Sequence, residues 1–201
     1  MCGRPDNPFV HNGIDLSEYI YSEDKEDYFL FMGKLDWNAK GLEFALLVAI
    51  EMKLKLLLAG DFMYPDSYEK HIKKYMNDDI KYVGPVGGRV KAELLAGAKG
   101  LLSPVRWPEP FGLVVTEALA SGTPVITTTE GAMPEIMVQG ETGFMCNTVG
   151  ELKQGVNMID SIDPKKCRQR VEEHFTSRRM CLDYLNLYER KIIDYKGHIC
   201  P

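Results

Sequence analysis

A chain of 201 residues, 45 % hydrophobic and 26 % charged, has the length of one domain with a short appendage and a globular composition, which excludes disordered, collagen-like and coiled-coil classes. Its 24 basic and 29 acidic side chains leave a net charge of −5. Broad nucleic-acid binding is therefore not expected, and any anionic ligand must be held by local groups.

The predicted elements alternate between strand and helix. After a polar lead over 1–26, DYFLFMG from Asp27 to Gly33 is a short apolar run that stops on Gly, the pattern of a buried strand. Leu42, Phe44, Ala45, Leu46, Val48, Ala49 and Met52 stand close to helical spacing and predict a helix from Leu42 to Met52. The pattern repeats: LKLLLAG ending at Gly60 is a second strand, SYEKHIKKYM from Ser67 a second helix, and IKYVG ending at Gly84 a third strand. RVKAELLAGA from Arg89 is helical again, and KGLLSP ending at Pro104 is a fourth strand. A loop WPEPFG leads to a helix GLVVTEALASG closed by Gly122 as its C-terminal cap, then a strand from Pro124 and a short strand around Phe144. From about Leu152 the chain becomes helical and polar, and a last long helix runs roughly from Ser177 to Tyr195. Such alternation with apolar strands predicts an α/β fold, a parallel six-stranded sheet with helices on both faces, because each parallel connection needs a crossover. Ligands of such sheets sit at the carboxyl ends of the strands. The main body is expected over 27–160 and a set of C-terminal helices over 161–201.

The segment from Trp107 to Ile126 carries the chemistry. Glu109 and Glu117 stand eight positions apart, one in the loop after a strand and one about a turn into the next helix, so both can face one cleft. Phe111, Gly112, Leu113 and Val114 open that helix, where unpaired N–H groups and the positive end of the macrodipole are offered. Gly112 removes bulk where phosphate or sugar oxygens can meet backbone. Taken alone, Glu117 reads also as a solvated helix carboxylate and Glu109 as a turn residue.

The run EPFGLVVTEALASGTPVI resembles the signature of family 4, group 1, of the retaining glycosyltransferases of the GT-B fold, a Glu, seven residues and a second Glu. NGID at Asn12 to Asp15 resembles that family's lead into its second domain, FMGKLDWNAKG at Phe31 to Gly41 its phosphate-binding strand and loop, and GAMPEIMVQGETGF at Gly131 to Phe144 its Pro-Glu-Ile stretch. These matches follow the family's order along nearly the whole chain. The resemblance implies a Rossmann-like C-terminal half of a GT-B enzyme that binds a nucleoside diphosphate sugar, with a UDP-sugar favoured. It implies that Glu117 accepts from the ribose hydroxyls, that Glu109 contacts hydroxyls of the transferred sugar, and that Lys40 and Lys34, after the strand ending at Gly33, hold the diphosphate. It further implies that amides around Phe111, Gly112, Leu113 and Val114 lie near sugar and phosphate, and that the base rests near Gly84, Pro85 and Val86. Lys34 departs from the commoner Arg and lacks a bidentate fork, so looser binding or simple solvation is open for it. Pro134, Glu135 and Ile136 read as a helix start near the donor or as plain turn chemistry.

No metal or cofactor is required by this reading, since cations and helix-end amides can stabilise a leaving diphosphate. Five cysteines, Cys2, Cys146, Cys167, Cys181 and Cys200, stand singly and point to neither a zinc site nor a disulfide framework. His11, His71, His174 and His198 pair with no obvious nucleophile, so a hydrolytic triad is not expected. The first strand ends MGKLDWNAKG, without the Gly-x-Gly-x-x-Gly turn of a dinucleotide oxidoreductase, and an epimerase would need acid–base groups that cannot be placed here. The opening MCGRPDNPF lacks a secretory pattern and the apolar runs fall short of the roughly 18 residues of a membrane helix, so a cytoplasmic protein of a reducing compartment is expected. The resemblance starts at the lead, so an N-terminal acceptor-binding domain is expected to be missing from this chain, leaving a donor-binding half of an enzyme that when whole has room for membrane-peripheral binding. The alternative is a non-catalytic nucleotide-sugar-binding or assembly module of the same fold.

Overall fold

A computed structural model describes residues 8–64, 66 and 68–197. Cys2, Cys200, His198 and the expected helix start at Ser67 lie outside the described residues. Six parallel strands, β1 (Phe29–Met32), β2 (Leu56–Ala59), β3 (Ile80–Gly84), β4 (Gly100–Ser103), β5 (Val125–Thr127) and β6 (Gly143–Met145), form one sheet in the order β3-β2-β1-β4-β5-β6. Every residue of β1, β4 and β5 is buried, as expected of parallel strands covered on both faces. Phe29 pairs with Leu56 on one side and Gly100 on the other, so β1 is the centre of the sheet. The chain doubles back there, and the crevice between the carboxyl ends of β1 and β4 is the topological switch point at which such sheets bind ligands.

The helices are α1 (Leu42–Met52), α2 (Gly88–Gly97), α3 (Leu113–Ala120), α4 (Met133–Ile136), α5 (Val149–Met158), α6 (Pro164–His174) and α7 (Ser177–Gly197). Helices α1 and α5 pack together on one face of the sheet, while α3 packs against α2 and α6 on the other. The expected fold class is the one observed.

Three element expectations are corrected. The segment after β2 is not a regular α-helix: Tyr68–Ile72 forms a wide π turn and Lys73–Tyr75 a tight 3-10 turn. Its many charges leave Ile72 as the buried side chain of these turns, so aromatic anchors shape it instead: Tyr68 lies against Phe62 and Tyr82, and Tyr75 stacks on Trp37 with centroids 6.0 Å apart. Helix α5 begins before Leu152 because Thr148 caps it, its hydroxyl accepting from Glu151 N at 3.2 Å. The polar region then breaks at 159–163, where Asp163 caps α6 and Pro164 opens it. Gly122, with φ +73°, closes α3 as expected.

The lead is tied to the body. Ile14 N donates to Phe175 O and Ser177 N to Ile14 O, each at 2.9 Å, and Ser22 N donates to Ser121 O at 3.3 Å. Lys25 reaches Ala96 O at 2.8 Å, Ser121 O at 3.2 Å and Thr123 Oγ1 at 2.9 Å. Cys146 and Cys167 are buried and Cys181 is exposed, and all three are free. Among the described residues, no helix is long and apolar enough to cross a membrane.

Candidate functional site

The loop after β1 is folded onto the loop after β4. Asp36 accepts from Ala39 N at 2.5 Å, and Arg106 N donates to Ala39 O at 2.8 Å. Gly41 sits with φ +73° so close to Pro104 that a Cβ there would lie 1.8 Å from the Pro104 carbonyl oxygen, a packing open to glycine alone. This clasp brings Lys40 across the crevice to Glu109, with which it pairs. Trp107 completes the group: its indole N–H donates to Glu109 Oε2 at 2.9 Å, and the Lys40 ammonium lies over its ring, 4.8 Å from the centroid. The backbone of Glu109 is held from behind, Ala132 N donating to Glu109 O at 2.9 Å.

Helix α3 starts at Leu113 after Gly112, whose φ is +93°, and no side chain caps it among the described residues. Its first intrahelical bond is Val115 N to Gly112 O at 3.0 Å, so the Leu113 and Val114 amides are free in the helix and face the crevice as an anion-receiving end. Two adjoining clefts meet there. One, of about 360 Å³, is lined by Lys40, Glu109, Phe111, Gly112 and Asn12. The other, of about 390 Å³, is lined by Glu117, Lys91, Val86, Pro85, Gly60 and Asp61. Gly33, Lys34, Leu113 and Val114 line both. The two lysines, the two glutamates, the helix-start residues from Phe111 to Val114, Gly33, Pro85 and Val86 thus share one trough along the carboxyl ends of the strands, while Gly84, Pro134 and Ile136 line neither cleft.

Glu117 departs from the plain reading of a solvated helix carboxylate. It is 8 % exposed, and one of its two oxygens is taken by neighbours. Lys91 Nζ donates to its Oε1 at 2.6 Å and the Tyr19 hydroxyl donates to the same oxygen at 2.9 Å. Burial, with the Glu117 charge beside it, pushes the Tyr19 phenol well above its ordinary range, so Tyr19 stays a donor. Lys34 is exposed and makes no ion pair among the described residues. Glu135 pairs with His11, Nε2 to Oε2 at 2.8 Å, and the His11 ring lies 6.2 Å from that of Phe111. Among the described residues, no group of three or more His, Cys, Asp or Glu side chains converges as a metal site. Sequence reasoning missed Tyr19, Lys91 and Trp107, whose roles come from contacts made across the fold. Of these only Trp107, beside the paired-Glu run, carried a signal close at hand.

The family model described as Glycosyl transferases group 1 matches residues 17–173. The chain belongs to the group 1 glycosyl transferases. Within that family, the chain is 31 % identical over 159 residues to N-acetyl-alpha-D-glucosaminyl L-malate synthase of Bacillus anthracis, over 75 % of this chain and 41 % of that enzyme. Among solved structures, AviGT4, a glycosyltransferase involved in avilamycin A biosynthesis, superposes with a TM-score of 0.80 at 26 % identity, covering 95 % of this chain and 60 % of AviGT4. Anabaena HepE in complex with UDP-glucose gives a TM-score of 0.78 at 19 % identity over 94 % of this chain and 59 % of HepE, a likeness of fold. This group 1 glycosyl transferase therefore has the GT-B Rossmann-like fold, and it spans less than half the length of its Bacillus anthracis relative.

Proposed function

We propose that the chain is the donor-binding half of a retaining hexosyltransferase, holding a nucleoside diphosphate sugar, with a UDP-sugar favoured, for transfer to a glycan, lipid or small-molecule acceptor presented by a preceding domain. The order of charges along the trough carries the reading: Lys40 and Glu109 at one end, Lys34 and the free amides of α3 in the middle, Glu117 and Val86 at the other. That order matches sugar, diphosphate, ribose and base laid end to end. The UDP-glucose held by HepE, a protein of the same fold, supports the donor class. The apolar residues of α7 support a missing partner domain: Leu185, Tyr188 and Ile192 are 52 %, 58 % and 54 % exposed.

In this reading Glu109 binds sugar hydroxyls and is not a nucleophile. As the bond from sugar C1 to the phosphate oxygen breaks, negative charge grows on the diphosphate, and Lys40, Lys34 and the Leu113 and Val114 amides stabilise it where it forms. The acceptor oxygen bonds to C1 on the same face, and its proton passes to the departing phosphate. The cations and amides supply the charge stabilisation that a metal provides elsewhere.

Calorimetric titration of the chain with UDP-, GDP- and ADP-glucose tests the reading. Binding of one of them is expected, weakened about 10- to 150-fold by Lys40→Met and by Glu117→Gln, the range for one hydrogen bond to a charged group. No binding of any at millimolar concentration overturns it.

A further inference from the structure

The two donors on Glu117 explain how a nearly buried carboxylate can serve a ligand. A carboxylate has two oxygens with about four acceptor sites, and Lys91 and Tyr19 both occupy Oε1. Among the described residues no hydrogen bond reaches Oε2, yet no buried side-chain oxygen or nitrogen is left without a partner. Oε2 therefore still meets solvent. Tyr19 and Lys91 also line a cavity of about 690 Å³ between the lead and the start of α2, whereas Lys91 and Glu117 line the cleft that holds Val86. The three side chains are thus the wall between a cavity on the lead side and the cleft on the nucleoside side.

Resting on the donor reading above, we propose that Tyr19 and Lys91 are positioning residues that fix one oxygen of Glu117 and present the other to the vicinal hydroxyls of the donor's ribose, making the lead segment part of nucleoside recognition. A free Glu side chain samples several rotamers and must be ordered when ligand binds; two donors on one oxygen order it beforehand. The Lys91 ammonium also balances a carboxylate that would otherwise stand uncompensated beside a diphosphate, and Tyr19 adds a second donor without adding charge. The Lys91 ammonium further lies over the Tyr19 ring, 6.0 Å from its centroid, so each helps place the other. The lead does not depend on the Tyr19 hydroxyl for its attachment, since Ile14, Ser22 and Lys25 hold it independently. Removing that hydroxyl therefore separates positioning from docking.

The test compares ribose with 2′-deoxyribose, a readout that a merely structural role does not move. The chain and its Tyr19→Phe, Lys91→Met and Lys91→Arg variants are titrated with UDP and 2′-deoxy-UDP, and with the GDP and ADP pairs, and melted in parallel to check folding. The unaltered chain is expected to prefer the ribonucleotide by at least about tenfold, the loss of one hydrogen bond to a carboxylate. Tyr19→Phe and Lys91→Met are each expected to narrow that preference several-fold, by weakening the ribonucleotide while leaving the deoxynucleotide nearly unchanged, and Lys91→Arg to restore most of it. Ribo- and deoxynucleotide weakened together in both variants, with the ratio intact, overturns the positioning role while the donor reading stands. Nucleotide binding by the unaltered chain with no ribose preference overturns the ribose assignment, and no binding of any nucleotide removes the donor reading with it.

Discussion

At the scale of one residue, Trp107 ties together two charged groups of the trough, Glu109 and Lys40. Its indole N–H is spent on Glu109 and its ring face on Lys40. Trp107→Phe keeps an aromatic face for the ammonium, although a weaker one, and removes the donor that steadies Glu109. If Glu109 touches the transferred sugar, the variant should bind UDP-glucose several-fold more weakly, within the roughly 2- to 13-fold of an ordinary hydrogen bond, and bind UDP almost as before. Parallel titrations with the two ligands check this, and equal weakening of both would mean that Trp107 acts through Lys40 on the diphosphate instead. The places of Glu109 and Gly112 were legible in the chain because loop and helix-start chemistry is local, and Lys40 was named through the family resemblance alone. The partners of Glu117 were not: Tyr19 lies 98 positions away and Lys91 26 positions away, and only the folded sheet brings the lead, α2 and α3 to one point.

The elements that build the site depend on two loops pressed together, and two glycines with left-handed backbone test how tightly. Gly41, φ +73°, has the Pro104 carbonyl 1.8 Å from where a Cβ would stand, whereas Gly88, φ +51°, has nothing within 4 Å. An Ala at either position meets the left-handed penalty of roughly 1–2 kcal/mol. At Gly41 the two backbones must also part, which takes the loss to about 3 kcal/mol or more, and since Lys40 is its neighbour, the proposed nucleotide site should open with it. Urea unfolding of Gly41→Ala and Gly88→Ala is expected to show the larger drop for the first and near-normal nucleotide binding for the second; equal drops would mean the loops are not in register as described. The same distinction governs what could be read from the chain. The apolar stripe of Leu42 to Met52 marks α1 because its helix packs by its own face, while the turns at 68–75 follow contacts with Trp37, Phe62 and Tyr82 that no local pattern announces.

Across the whole molecule, the lead is a strap closed over the ends of α2 and α3, and its strength should vary with pH through Lys25. That ammonium gives three hydrogen bonds to groups around Ala96, Ser121 and Thr123, placing its charge beside helix-end carbonyls, yet burial pulls its pKa down from 10.5 to about 8. The folded chain therefore holds this proton less tightly than the unfolded one. Between about pH 8 and 10.5 the unfolded state binds more protons at this site, so the contribution of Lys25 to stability rises with pH, and below that window the buried charge carries its full desolvation cost. The Cys167 thiol opposes this at higher pH, because burial pushes it from 9.0 to about 12 and its stability contribution falls once the unfolded thiol ionises. The Lys25 charge itself acts on that thiol, so the chain and its Lys25→Met variant are compared with Cys167→Ala in both. The difference in urea unfolding free energy, native minus variant, is expected to grow in favour of the native chain from pH 7 to pH 9. A difference that stays flat over that range would mean that Lys25 is solvated and that the strap is held by its backbone bonds at Ile14 and Ser22 alone.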